Sequence, residues 1–225
     1  TPTKSSAASD VYKRQVMLNK PAQLYPRAVV LCLLLTALPL QAKTASEELL
    51  AFMEGLEGLR SNFEQNVYVN GLIVESNTGS MALAKPKLRW QVNAPFPQII
   101  IVSPGRVEIY DPDLSQLTIQ ETGSNQTETP ASLLMNPERL LSSSYQVNQV
   151  GSQDVRVFQL TPTGSSALFQ SLEITFEKGT LKSLQILDWQ QQQTVIRFEN
   201  VVVNQDLPPT LFQLAVPEGT DVIRG

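Results

Sequence analysis

The sequence predicts a mainly β domain with a small helical part: about eleven antiparallel strands able to curl into a barrel, one N-terminal helix and a short helical insertion. Three observations carry that reading. From Arg60 onward apolar residues recur with period two, in segments of strand length bounded by Asn, Gly, Pro or Asp. Just before Arg60 one stretch has the three- and four-residue spacing of an amphipathic helix. Between residues 121 and 143 the alternation stops, and prolines flank a Leu-Leu-Met run.

The domain is expected to begin at Lys43. Ahead of it, Met17 is followed by Lys20 and Arg27, the apolar run AVVLCLLLTALPL (28–40) and a small residue, Ala42. That is the order of a secretory signal, with cleavage after Ala42 and export as the consequence. The run is short for a transmembrane span and Pro39 interrupts its end. Residues 1–16 precede Met17 and add nothing a signal needs, so they are expected to be a non-native extension. Cys32, the sole cysteine, lies inside the run and not at the cut, which argues against a lipid anchor there.

Ser46 is placed to cap the first helix, with Glu47 and Glu48 in its first turn where the helix dipole favours acids. Leu49, Leu50, Met53, Leu56 and Leu59 form its apolar stripe, and Glu47, Glu48, Glu54 and Glu57 its solvated side. The strand segments follow as SNFEQNVYVNG, GLIVESNTGSMALA, KLRWQV, PQIIIVS, RVEIYDP and SQLTIQE. ETGSNQTET is turn-rich, and TPASLLMNPERLLSSS suggests one or two short helices starting near Pro130 and Pro137. Strands resume as YQVNQVG, QDVRVFQLTP, LFQSLEITFEKG, TLKSLQILDW and QTVIRFENVVVN, with a last short one in FQLAVP. EKGT and DWQQQQT read as hairpin turns.

Composition narrows the chemistry. Beyond Ala42 there is neither cysteine nor histidine, so disulfides, a thiolate nucleophile, an imidazole base and an ordinary zinc site are all excluded. From Lys43 the chain carries 12 Lys and Arg against 20 Asp and Glu, a formal charge of −8, which makes it a poor nucleic-acid binder. No catalytic residue, metal ligand or cofactor motif stands out. A sheet of this size would leave an inner face of Phe, Leu, Ile, Val, Met and Trp that two thin helices cover but hardly fill. That points to a cavity, with a fully packed core as the alternative.

The run KPKLRWQVNAPFPQIIIVSPGRVEIYDPDLSQLTI (85–119) resembles the signature of the LolA family of periplasmic outer-membrane lipoprotein carriers. The likeness continues through TPASLLMNP (129–137), QLTP (159–162), FEKGTL (176–181) and the closing F-x-x-x-x-P-E-G-T-D-V-I (212–223). It implies an unclosed β-barrel with a helical lid over a hydrophobic cavity, and no enzymatic activity. The implied cargo is triacylated lipoprotein, taken from the inner-membrane Lol ATPase complex and delivered to the outer-membrane receptor LolB, in the periplasm of a Gram-negative cell, by a monomer.

Candidate site residues follow. Leu88 and Trp90 share a strand face with Pro86 and Val92 and are assigned to the cavity or its rim, while Lys87, Arg89 and Gln91 take the outer face. Leu133, Leu134 and Met135 match the family's apolar lid positions, and Leu49, Met53 and Leu56 on the first helix are cavity or core. The resemblance makes Lys85, the basic residue before the strand proline, a latch that holds barrel to lid through backbone carbonyls. Here Lys replaces the family's Arg, and four steps rather than five separate Pro86 from Trp90, so strict alternation sets Lys85 opposite Trp90 unless a bulge intervenes. Ile99 and Ile101 share one face, inner or outer.

Other readings of the same fold are LolB itself, disfavoured by the missing lipobox cysteine, and a two-domain regulator resembling RseB, disfavoured by length. A carrier or sensor of another amphiphile, such as a glycolipid, fits the fold equally. A carboxylate-based glycosidase finds no support, because the acids scatter among turns and helix faces.

Overall fold

The computed structural model describes residues 43–121, 134–135, 137–138, 145–164 and 169–225. The expected leader, the extension before it, Cys32 and Leu133 lie outside the described residues.

Helix α1 (Ala45–Glu54) opens the domain. Its N-cap is Thr44, two residues before the expected Ser46. Thr44 Oγ1 accepts from the Glu47 amide at 3.2 Å, and Glu47 Oε2 accepts from the Thr44 amide at 2.8 Å, so two orphan amides are satisfied reciprocally. The helix ends at Glu54 with Gly55 as its C-cap, so Leu56 lies beyond it and Leu59 already begins the sheet.

Among the described residues, twelve strands form one sheet. The first six are β1 (Leu59–Val69), β2 (Leu72–Ala84), β3 (Lys87–Ala94), β4 (Gln98–Ser103), β5 (Arg106–Asp111) and β6 (Gln116–Glu121). After the break come β7 (Tyr145–Gly151), β8 (Val155–Pro162), β9 (Phe169–Glu177), β10 (Thr180–Asp188), β11 (Gln193–Val202) and β12 (Asp221–Arg224). Two antiparallel meanders, β1–β6 and β7–β11, are joined where β1 pairs with β11, giving the order β12-β6-β5-β4-β3-β2-β1-β11-β10-β9-β8-β7. β7 and β12 are the two edges, so the sheet is unclosed.

Two expectations are corrected. Lys85 and Pro86 are the two-residue turn between β2 and β3, not part of a strand, because β3 begins at Lys87. FQLAVP has strand alternation but no ladder partner; the last strand is β12, which pairs parallel with β6. What the alternation in FQLAVP does is different. Residues 203–217 cross the outer face of the sheet as a strap, burying Leu207 and Phe212 against Ala82, and packing Leu214 and Val216 against Tyr110, Leu117 and Ile119. A residue pattern with period two needs only one buried face, and a neighbouring sheet supplies it without hydrogen-bonded pairing.

The main core lies on the concave face beneath α1. Leu49 and Met53 of α1 and Leu56 beyond it pack with Leu59 and Phe63, Met81 and Leu83, Leu88, and with Phe158, Ile174, Phe176, Leu184 and Phe198 from the second meander. Gly79 permits this packing in the middle of β2, since a Cβ there would run into the Gln91 carbonyl and, at 2.5 Å, the Phe63 ring.

Candidate functional site

Cross-strand pairing fixes which residues share the concave face. Met81 pairs with Trp90, Trp90 with Ile100 and Ile100 with Ile109; beside that row run Leu83, Leu88, Val102 and Val107. Directly paired residues project to the same side of a sheet, so these two apolar rows cross four strands. Their burial falls along the way. Met81, Leu83 and Leu88 are buried, whereas Trp90, Ile100, Val102, Val107 and Ile109 are half-buried among the described residues. An apolar strip thus leaves the closed core and runs toward β5.

Trp90 stands at the transition. Its indole stacks on Phe63 with centroids 3.9 Å apart and planes at 22°, and it meets the Phe198 ring edge-on at 6.4 Å. Ile99 and Ile101 face the other way, outward: Ile99 packs under the strap with Tyr110 and Leu117, and Ile101 is buried.

Helix α1 is fastened across the concave face from two sides. On one side Lys85 Nζ donates to the Met53 carbonyl at 2.6 Å, near the helix C-terminus where a cation is favoured. Burial pushes the Lys85 ammonium below its ordinary pKa, partly offset by Glu57 and Glu54. On the other side Arg156 of β8 pairs with Glu48 and lies over the Phe52 ring at 5.2 Å, while Phe52 stacks on Phe176 at 4.7 Å. Two cations from opposite arms of the sheet thus hold one helix. Because Lys85 sits in a turn, the phase of its side chain relative to Trp90 is set by the hairpin and needs no bulge.

Of the remaining sequence-predicted residues, Leu134 and Met135 are helical and buried in the same core cluster as Leu49, Met53, Leu56 and Leu88. Arg89 departs from the solvated outer face expected of it. It is half-buried, with Nη1 donating to the Leu211 carbonyl at 3.1 Å and Nε and Nη2 to Gln91 Oε1, so it moors the strap to β3. Sequence reasoning also passed over Arg156 and Phe52, whose partnership joins α1 to a strand about a hundred residues away and leaves no short-range signal.

The turns at one end of the sheet form a second feature. The β1–β2, β3–β4, β5–β6 and β10–β11 turns all lie at the same end, as the antiparallel register requires. They expose Leu72 (71%), Ile73, Phe96 (76%), Leu114 and Trp189. Around these tips, residues 66–76, 92–99, 110–117 and 186–195 contain Glu75, Asp111, Asp113 and Asp188 but no Lys or Arg. The rim is apolar and acidic.

Comparison with known proteins agrees with this architecture. The sequence profile of the family described as "Outer membrane lipoprotein carrier protein LolA" matches residues 54–215. The chain is 37% identical over 193 residues to an outer-membrane lipoprotein carrier protein of Chromohalobacter salexigens, covering 84% of this chain and 92% of that one. It is 32% identical over 180 residues to a protein of the same description from Pseudomonas putida, covering 79% and 85%. Among solved structures it is similar to an uncharacterized conserved protein from Thermus thermophilus, with a TM-score of 0.54 at 11% identity over 81% of this chain and all of that one, a likeness of fold alone.

Proposed function

Because the chain belongs to the LolA family of outer-membrane lipoprotein carriers, we propose that it ferries acylated lipoproteins through the periplasm, sheltering their acyl chains against its concave face. It is a carrier and not an enzyme, so the chemistry is burial alone. The observation that carries this reading is the apolar strip from Met81 and Trp90 to Ile100 and Ile109, which a protein with a fully closed core would not leave half-exposed. Each methylene sheltered there contributes about 0.8 kcal/mol, so acyl chains left in water would cost on the order of tens of kcal/mol. The carrier must match most of that and exceed little of it, or the cargo would not leave.

In this reading residues 17–42 are the cleaved export signal and 43–225 the carrier domain; among the described residues no helix is long and apolar enough to cross a membrane. Leu49, Met53, Leu56, Leu88, Trp90, Leu134 and Met135 are the cargo-adaptable part of the core, and the family resemblance assigns Leu133, which lies outside the described residues, the role of a lid residue. Lys85 is the latch, closing through the backbone carbonyl of Met53 on α1. The rim supports a docking role at the point of exchange. Its exposed Leu72, Ile73 and Phe96 offer apolar contacts, and its acids favour a partner with basic side chains over an anionic bilayer. The inner-membrane Lol ATPase complex would load the carrier and LolB unload it.

The decisive experiment incubates the purified carrier with inner-membrane spheroplasts and assays the supernatant for a soluble complex with triacylated lipoprotein. A complex is expected. Lipoprotein that stays in the membrane, with a carrier from the same organism's relatives working in parallel, would overturn the reading.

A further inference from the structure

A cleft of about 500 Å³ opens on the convex face of the sheet, on the side opposite the lipid-facing strip. Its floor is built from two cross-strand rows. In the first, Arg60 on β1 pairs with Ala82 on β2, and Ala82 with Arg89 on β3; in the second, Asn62 pairs with Ser80 and Ser80 with Gln91. In these two rows the central strand contributes the small Ser80 and Ala82 and the flanking strands polar side chains, so the floor is a saddle with an arginine on each side. Neighbouring strands lie about 4.8 Å apart, which sets the two arginine backbones roughly 10 Å from each other, a span their side chains bridge easily. Asn200 and Thr210 line the walls, the latter carried by the 3-10 turn Pro209–Phe212 of the strap.

Neither charge of this cleft meets a counter-charge among the described residues. Arg89 donates three N–H groups, all to neutral acceptors, the Gln91 amide oxygen and the Leu211 carbonyl. A guanidinium has five donors, so two remain on a group already held in a fixed orientation. Arg60 is exposed, and among the described residues neither arginine forms an ion pair; Glu199, opposite Asn62 on β11, reaches neither. Burial without a counter-charge pushes the Arg89 guanidinium below its ordinary pKa. Two uncompensated arginines in one concavity are unexpected in a chain whose net charge is negative, and a bound anion would relieve both.

We propose that the saddle between Arg60 and Arg89 is a binding site for a phosphate group. The two donors left on Arg89 can meet oxygens of a tetrahedral oxyanion, Arg60 closes from the far side, and the amide and hydroxyl groups of Asn62, Ser80 and Thr210 complete a donor-rich shell. A phosphate group reaches a periplasmic protein either free in solution or as the headgroup of a phospholipid, and both present the same oxygens to this cleft.

The test uses the intact purified protein. Inorganic phosphate is titrated calorimetrically at fixed ionic strength with chloride as the reference anion, and in parallel the protein is floated with phosphatidylglycerol vesicles. Arg60→Gln is the diagnostic variant, because Arg60 makes no bond that the fold needs, whereas replacing Arg89 would also unmoor the strap. Single-site phosphate binding that weakens about tenfold or more in Arg60→Gln supports a free-phosphate site. Vesicle flotation that Arg60→Gln abolishes supports a headgroup site. Absence of both, or binding that Arg60→Gln leaves unchanged, overturns the proposal.

Discussion

Lys85 Nζ lies 2.6 Å from the carbonyl oxygen of Met53, so the turn between β2 and β3 is bonded directly to the last turn of α1. The Met53 side chain meanwhile packs in the concave core with Leu88, two positions into the next strand. One residue therefore receives the latch on its backbone and fills the core with its side chain. Opening α1 away from the sheet must break both.

Replacing Lys85 by Met keeps the aliphatic stem and removes the donor. The variant is expected to lose about 1 kcal/mol of stability, the net worth of one hydrogen bond, because the Met53 carbonyl still accepts from the Leu56 amide at 3.2 Å. Urea unfolding followed by tryptophan fluorescence measures it. An unchanged midpoint would show that the bond contributes nothing net.

The same side chain predicts an alkaline dependence. Burial lowers the Lys85 pKa in the folded state, so between that value and its ordinary one the folded chain binds fewer protons than the unfolded chain. Stability from this group then rises with pH through that window and is flat below it. Wild type should therefore gain on Lys85→Met as the buffer moves from neutral to strongly alkaline, measured as the difference of their unfolding midpoints. A difference that narrows would reverse the sign of the burial effect.

At the other end of α1 the sign is opposite. The Thr44 bonds hold the Glu47 carboxyl below the usual carboxylate range, so its contribution is complete above the ordinary value and is lost as pH falls through the lowered one. Thr44→Ala should cost about 1 kcal/mol at neutral pH, typical of an N-cap. The acid limb of a thermal-melt series should flatten instead in Glu47→Ala, because the carboxylate accepts chiefly from the residue-44 amide, which Thr44→Ala retains.

Gly79→Ala should destabilise by about 1–3 kcal/mol, the usual cost of forcing atoms into a filled site. The Phe63 ring and the Gln91 carbonyl both occupy the space. Combining it with Phe63→Leu should recover part of the loss and no more, since the carbonyl cannot move without breaking the β2–β3 ladder. A double-mutant cycle of unfolding free energies gives the split.

These relationships mark what the sequence could and could not convey. Most of the first eleven strands were legible because they alternate along their length, and QIIIVS because it is a short apolar run bounded by Pro97 and Pro104; neither signal needs knowledge of partners. The same rule misread FQLAVP, where Phe212, Leu214 and Val216 alternate against the outside of another part of the sheet. Thr44 and Ser46 are both cap formers, and which one starts α1 depended on Glu47 being three residues beyond Thr44. At the site, Leu88 and Trp90 could be put on one face by alternation. Lys85 was misplaced because it was phased with Trp90 as part of the strand, although the segments ending at Ala84 and beginning at Lys87 leave Lys85 and Pro86 between them as the turn. Arg89 and Arg156 take their roles from Leu211 and from Glu48 and Phe52, which only the fold brings near.

The rim allows carrying and docking to be separated. Leu72 and Phe96 sit at turn tips, exposed by 71% and 76%, and neither belongs to the concave core. Asp at both positions should leave the urea midpoint within about 0.5 kcal/mol of wild type, as surface changes usually do. Their solvent-facing apolar area would be lost to any partner, and two more negative charges would join Glu75, Asp111, Asp113 and Asp188. If exchange takes place at this end through apolar contacts, the double variant should bind membrane-free lipoprotein in detergent dilution as wild type does, yet release less of it from spheroplasts. If it is a basic partner surface that reads the acids, changing Asp111 and Asp113 to Asn should weaken release in low salt and matter little in high salt, because screening already removes that contribution. Normal release by both variants would move the docking surface elsewhere on the sheet.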